Sequence, residues 1–196
     1  MFTLPLQQIF DKKHLLREQM TAERRALAAA RPDAGVHAAR MFLQHIETTS
    51  DDIVALYHPI KHELDTEPLF DALVDLGVSI ALPVTIKKNA PLEFRGFAPN
   101  DLLQKGKFGV MEPTDDAPTL IPSIVVTPLL GFTRRGRRLG YGGGYYDRTL
   151  AELRRNGQVT AIGYGFGGQE VDDLPVSDHD EPLDWVVTER DAFQPA

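Results

Sequence analysis

Apolar positions recur at helical spacing in the first quarter of the chain and as short unbroken runs after it. From Asp11 to Ala30 the spacing predicts an amphipathic helix with Leu15, Leu16, Met20 and Leu27 on its apolar face. Lys12, Lys13, Arg17, Glu18, Glu23, Arg24 and Arg25 fill the other positions, and Thr21 offers a cap at which a helix could restart. Pro32-Asp33 breaks the pattern, and a second helix is expected from Ala34 to Ile46. The polar stretch 48–52 reads as a loop.

The pattern then alternates. Ile53 to Tyr57 is an apolar run of strand length. Thr66 to Leu76 is a helix with Leu69, Phe70, Leu73 and Leu76 on one face, ended by Gly77. Val78 to Leu82 is the next strand, stopped by Pro83. Strand, helix and strand in such short compass make a βαβ unit, which requires parallel strands and a right-handed crossover. Further strands are expected at Leu92 to Phe97, Ile124 to Pro128, Val159 to Gly163 and, last of all, Trp185 to Thr188, with a helix from Tyr145 to Arg155. No repeat or linker divides the chain, so residues 1–196 read as a single α/β domain.

Composition narrows the chemistry. The absence of cysteine excludes a disulfide scaffold, a thiol nucleophile, a thiolate zinc site and a cysteine-held iron–sulfur cluster. A formal charge of −7 argues against broad binding to nucleic acid or anionic membranes. No apolar stretch approaches the roughly 20 residues needed to span a bilayer, and the first residues lack the basic and apolar regions of a leader. A cytoplasmic location is therefore expected. The six histidines show no metal-ligand spacing; His58 and His62 are four apart, but Pro59 argues against a helix presenting both.

The densest chemical signal runs from Gly136 to Asp147. Gly140, Gly142, Gly143 and Gly144 lie between an apolar strand and a helix, where backbone N–H groups can surround a phosphate unobstructed by Cβ atoms. Arg134, Arg135, Arg137 and Arg138 bring guanidinium groups to the same stretch, and Asp147 could ligate Mg²⁺ beside the phosphates. The stretch is neither a Walker loop nor a dinucleotide fingerprint, and a plain glycine-rich turn with solvated arginines is the competing account. Lys13 and Arg17 share a helix face at i, i+4, as a solvated face also would. Glu63 follows the first strand, where ligand contacts and helix caps both occur. Phe108, in a glycine-bearing loop, could stack on a planar ring or pack in the core. Asp180, after the acidic Asp172, Asp173 and Asp178, could face a cation or belong to a surface loop.

From Arg138 to Arg148 the chain strongly resembles the 5-formyltetrahydrofolate cyclo-ligase family, also called 5,10-methenyltetrahydrofolate synthetases. Lys13 to Arg17 is similar to the family's Lys-x-x-Leu-Arg. Glu63 to Thr66 is similar to its Glu-x-x-Thr, and Phe108 to Pro113 to its hydrophobic Glu-Pro stretch. Gln169, Leu174-Pro175, His179-Asp180 and Thr188-Glu189 follow in the family's order. Two departures stand out. The segment between Tyr57 and Glu63 is one residue longer than usual, and Gly143 replaces a longer side chain found in some members.

The resemblance implies a three-layer α/β/α sandwich with a largely parallel central sheet. It also implies ATP- and Mg²⁺-dependent cyclisation of 5-formyltetrahydrofolate to 5,10-methenyltetrahydrofolate, through a phosphorylated imidate at N5, with release of ADP and phosphate. ATP would be held by Lys13, Arg17, Arg138, Leu139, Gly140, Tyr141, Gly142, Gly143, Gly144, Tyr145 and Tyr146. Arg138 and Asp147 would be catalytic, Asp147 and Asp180 would hold Mg²⁺, and Glu63, Phe108 and Tyr145 would contact the reduced folate. The partners implied are that folate and ATP, with no nucleic acid or membrane, acting on a monomer. Two other functions compete. One is a folate- or nucleotide-binding protein without turnover, which would have no need of Lys13, Arg17, Asp147 and Asp180 together. The other is an ATP-dependent enzyme for a different formylated or amide substrate, which would differ around Glu63 and Phe108.

Overall fold

The computed structural model describes residues 6–107 and 109–196, with side chains from residue 11 onward. Its helices are α1 (Leu6–Ala30), α2 (Ala34–His45), α3 (Glu67–Asp75) and α4 (Tyr145–Asn156). A seven-stranded sheet takes β1 (Ile53–Ala55), β2 (Ser79–Val84), β3 (Glu93–Gly96), β6 (Ile124–Pro128), β9 (Thr160–Tyr164), β10 (Trp185–Val187) and β11 (Ala192–Phe193), in the order β11-β10-β9-β6-β1-β2-β3. The five inner strands are parallel, and β3 and β11 close the two edges antiparallel. Two small hairpins stand apart: β4 (Leu103–Lys105) with β5 (Met111–Pro113), and β7 (Gly131–Phe132) with β8 (Arg138–Leu139).

Burial on both faces explains why the parallel strands read as unbroken apolar runs. On one face Val54, Ile80, Val126 and Ile162 pack with Phe42 of α2 and Leu69 and Leu73 of α3. On the other Ala55, Ala81, Val125 and Ala161 pack with Leu150 of α4. The result is three layers, as the α/β/α expectation requires.

Strand order locates the site. The β1-α3-β2 crossover moves outward in one direction and the β6-α4-β9 crossover in the other. Right-handed crossovers running in opposite directions put their helices on opposite faces and leave a crevice between the carboxyl ends of β1 and β6. The segment holding Glu63 leaves β1 at that crevice, and the chain leading to the glycine loop leaves β6 there.

Four sequence expectations change. The helix α1 runs unbroken through Thr21, whose hydroxyl is satisfied by the Arg17 carbonyl at 2.6 Å, so there is no restart. Leu15 lies 67% exposed while Arg24 is fully buried, which moves the inward stripe of α1 away from the purely apolar one. Pro83 lies inside β2: pairing with β1 ends at Ala81, and beyond it β2 meets only β3, so the missing N–H costs no ladder bond. The chain does not end its sheet at Thr188, because Ala192-Phe193 returns as β11 along β10.

Candidate active site

Helix α1 lies across the carboxyl ends of the strands. Lys13, Arg17, Met20 and Arg24, at i, i+4, i+7 and i+11, share the face turned inward. Met20 anchors that face among Leu130, Leu139 and Leu174, with Leu16 beside them. The cations on the same stripe reach different parts of the chain. Lys13 Nζ donates to Asp180 Oδ2 at 2.6 Å, Arg17 Nε to the Gly140 carbonyl at 2.9 Å, and Arg24 to the segment after β1.

The glycine loop is built by the β7–β8 hairpin. Leu139 is buried in the Met20 cluster and its carbonyl accepts the Leu130 amide at 2.7 Å, so the hairpin is fixed before the loop begins. Gly142 and Gly144 then take left-handed φ values of 93° and 64°. Gly144 caps α4, and the amides of the first turn of α4 have no acceptor within the helix. Arg148, one turn in, donates to the Gly143 carbonyl at 2.8 Å and lies over the Tyr145 ring.

Arg138, with only 5% of its side chain exposed, donates to Asp147 Oδ1 at 2.7 Å and lies over the Tyr146 ring. Its Nε is buried without a partner, a donor that an entering anion would satisfy. The other arginines of the run do not all follow. Arg134 turns away to Glu170, Asp191 and the Phe193 ring, so the four guanidinium groups expected at one place are divided.

Asp180 accepts from the Ser177 amide at 2.8 Å as well as from Lys13. Burial pushes its carboxyl up, but the bonds from Lys13 and Ser177 outweigh that and hold it below the ordinary carboxylate value. Burial likewise lowers the Arg17 guanidinium, against the pull of Asp180. Asp147 also accepts from the amide of Glu181, at 3.4 Å, which ties the start of α4 to the loop carrying Asp180. No group of three or more metal-ligating side chains exists among the described residues. Asp147 and Asp180 offer carboxylate oxygens, the kind of ligand Mg²⁺ takes one or two at a time beside water and phosphate.

Across the crevice, Glu63 is buried on a turn whose central residues, Lys61 and His62, are both left-handed at φ 48° and 66°. The Glu63 amide closes the turn on the Ile60 carbonyl at 3.0 Å, and Glu63 Oε2 accepts the Ile60 amide at 2.9 Å. Burial raises the Glu63 carboxyl above its usual value, opposed by the Ile60 amide and by Arg24. Arg24 is the residue that sequence reasoning missed, placed there only among those filling the positions off the apolar face of α1. Its spacing from Lys13 and Arg17 was the available signal. Phe108 lies outside the described residues. Its neighbours form the β4–β5 hairpin, where a loop was expected, and buried Glu112 accepts the Thr85 amide at 3.0 Å, joining that hairpin to the end of β2.

Of the residues expected at the site, Lys13, Arg17, Arg138, Asp147 and Asp180 are thus joined around the glycine loop, and Glu63 faces them from the β1 side. Among the described residues no helix is long and apolar enough to cross a membrane.

A sequence model of the 5-formyltetrahydrofolate cyclo-ligase family matches residues 9–189. The chain is 34% identical over 171 residues to the 5-formyltetrahydrofolate cyclo-ligase of Escherichia coli K12, covering 84% of this chain and 93% of that one. It is 32% identical over 178 residues to the Haemophilus influenzae enzyme of the same name, covering 85% and 94%. The NMR structure of Aquifex aeolicus 5,10-methenyltetrahydrofolate synthetase superposes with a TM-score of 0.75 at 28% identity, over 93% of this chain and 92% of that one. With nearly its whole length matched and the same α/β/α layers underneath, the chain belongs to the 5-formyltetrahydrofolate cyclo-ligase family.

Proposed function

We propose that this enzyme uses ATP to cyclise 5-formyltetrahydrofolate to 5,10-methenyltetrahydrofolate, releasing ADP and phosphate. The observation that carries the reading is the pairing, across one crevice, of a glycine loop ringed by Lys13, Arg17 and Arg138 with a buried carboxylate at Glu63. A formamide oxygen is a poor leaving group, so it must first become a phosphate ester. The formyl oxygen attacks the γ-phosphorus and the bond to ADP breaks, leaving an imidate phosphate at N5. N10 then attacks the formyl carbon and loses its proton, and the C–O bond breaks to release phosphate.

Each step asks the protein for position and charge, because the substrate supplies both nucleophiles. The glycine-loop amides and the α4 N-terminus receive the phosphates, with Tyr141, Tyr145 and Tyr146 in the same segment. Lys13, Arg17 and Arg138 neutralise them, and the unpartnered Nε of Arg138 is available to an oxygen that gains charge during transfer. Asp147 and Asp180 would hold Mg²⁺, whose charge offsets that of the phosphates. Glu63 accepts N–H groups of the pterin, and Phe108 and Tyr145 pack against the folate.

The test is growth of the near-ultraviolet absorbance of the methenyl product, with controls lacking ATP, Mg²⁺ or folate. Growth that requires all three supports the reading. A folded protein that binds ATP without making the band points to another formylated substrate or to a binder without turnover.

Two variants separate the half-sites. Arg17→Ala removes a guanidinium and its tie to Gly140, so it should raise KM for ATP by roughly tenfold, the worth of a charge-assisted hydrogen bond, with a smaller effect on the folate. Steady-state kinetics with each substrate varied in turn check this. Glu63→Gln should raise KM for the folate more than for ATP; the reverse would remove Glu63 from the pterin. The pH dependence has a definite sign. With its carboxyl raised by burial, Glu63 takes up a proton at higher pH than an ordinary glutamate, which relieves its burial cost but removes the charge and turns one acceptor oxygen into a donor. kcat/KM for the folate should therefore fall as pH drops through that raised value, and Glu63→Gln should abolish this acid limb.

A further inference from the structure

Buried Arg24 belongs to neither half of the crevice alone. Its Nη2 donates to the Lys61 carbonyl at 2.7 Å and, by a short bond, to the hydroxyl of Tyr141. Its Nη1 lies 3.4 Å from the Leu129 carbonyl, just past β6, and 3.5 Å from Glu63 Oε1. One guanidinium thus touches α1's own stripe, the turn after β1, the end of β6 and the tip of the glycine loop.

Tyr141 receives it twice over. The Arg24 guanidinium and the Lys61 ammonium each stand 5.3 Å from the Tyr141 ring centroid. The tyrosine at the loop tip is therefore held by two cations, one from α1 and one from the folate-side turn. That turn needs holding, since each left-handed side-chain-bearing residue costs about 1–2 kcal/mol unless its surroundings stabilise it. Lys61 and His62 are two such residues in succession, and the Arg24 bond to the Lys61 carbonyl falls between them.

We propose that Arg24 is a positioning residue that fastens the glycine-loop tip at Tyr141 to the turn carrying Glu63, so that ATP and the reduced folate each raise the other's affinity. The inference rests on the function proposed above. Filling either half fixes the shared guanidinium, and the second ligand meets a site already ordered. The coupling must be equal in both directions, because binding free energies are linked.

Calorimetry with a non-hydrolysable ATP analogue, titrated with and without saturating 5-formyltetrahydrofolate, reads the coupling factor directly, and the reverse titration gives it again. A factor of about 5 or more is expected for the unmodified enzyme. Tyr141→Phe, at a half-exposed position that folding should tolerate, removes the bridging hydroxyl and should bring the factor below about 2, a small residue of the coupling range. Arg24→Lys keeps the charge without the fork and should do the same, with thermal melting reporting its fold. A loss of packing alone would weaken both ligands and leave their coupling intact. A coupling factor of one in the unmodified enzyme, or one that survives both substitutions, overturns the bridge. An unmodified enzyme that binds neither ligand overturns the functional reading as well, whereas one that forms the methenyl product without coupling overturns the bridge alone.

Discussion

Replacing Asp147 by alanine should lower kcat by about a thousandfold, with a much smaller change in KM for the folate. Two losses act together. Arg138, nearly enclosed by protein, loses the carboxylate 2.7 Å from its Nη2, and a buried guanidinium without its counter-charge turns elsewhere or draws in water. The candidate Mg²⁺ position loses one of its two carboxylates, leaving the phosphates and Asp180 to hold the ion. The Glu181 amide loses an acceptor too, loosening the tie between α4 and the loop bearing Asp180. Asp147→Asn separates these effects, since it keeps the volume and an acceptor but removes the charge. Product absorbance followed across a Mg²⁺ titration checks the assignment. An alanine variant with an undiminished Mg²⁺-dependent rate would remove Asp147 from the metal.

The second large effect belongs to Gly142→Ala, for which KM for ATP should rise by about thirtyfold, some 2 kcal/mol. At φ 93° an L side chain is strained wherever it points, at a cost of about 1–2 kcal/mol. A Cβ there would also lie 3.1 Å from Arg17 Cζ, tighter than ordinary contact, and would push that guanidinium off the Gly140 carbonyl. The loop loses both its shape and one of its cations. Kinetics at varied ATP, with a melting curve to exclude unfolding, read the outcome. An unchanged KM for ATP would mean that nucleotide phosphates do not meet this turn.

The inner parallel strands and the helices between them were legible because both faces of the sheet are buried, which leaves runs such as Ile53 to Tyr57 unbroken in apolar residues. The glycine loop was legible because left-handed turns such as those at Gly142 and Gly144 call for a residue without a Cβ. What escaped has physical reasons. Arg24 reads as a surface residue because burial of a cation is decided by tertiary partners: the Lys61 and Leu129 carbonyls and Glu63 lie far along the chain. The two small hairpins are strands of two or three residues, too short to set up a period. Pro83 is a strand breaker only where the neighbouring strand needs its N–H, and there β1 has already ended. Arg134 and Arg138, four apart on a hairpin, diverge because the turn between them sends one to the C-terminal strand and the other to α4.

The Lys13–Asp180 pair joins residues 167 positions apart, and Arg17 reaches Gly140 across 123. Closing such loops costs little extra entropy, since each doubling of length adds only about 0.6 kcal/mol. Order of assembly is the stronger constraint. Contacts of such sequence separation need the sheet in place and α1 set against it, so they are expected late in folding. On the ribosome the glycine loop stays without the lysine–aspartate clasp beside it until residue 180 has emerged. The candidate site is therefore completed only when the segment carrying Asp180 has been made.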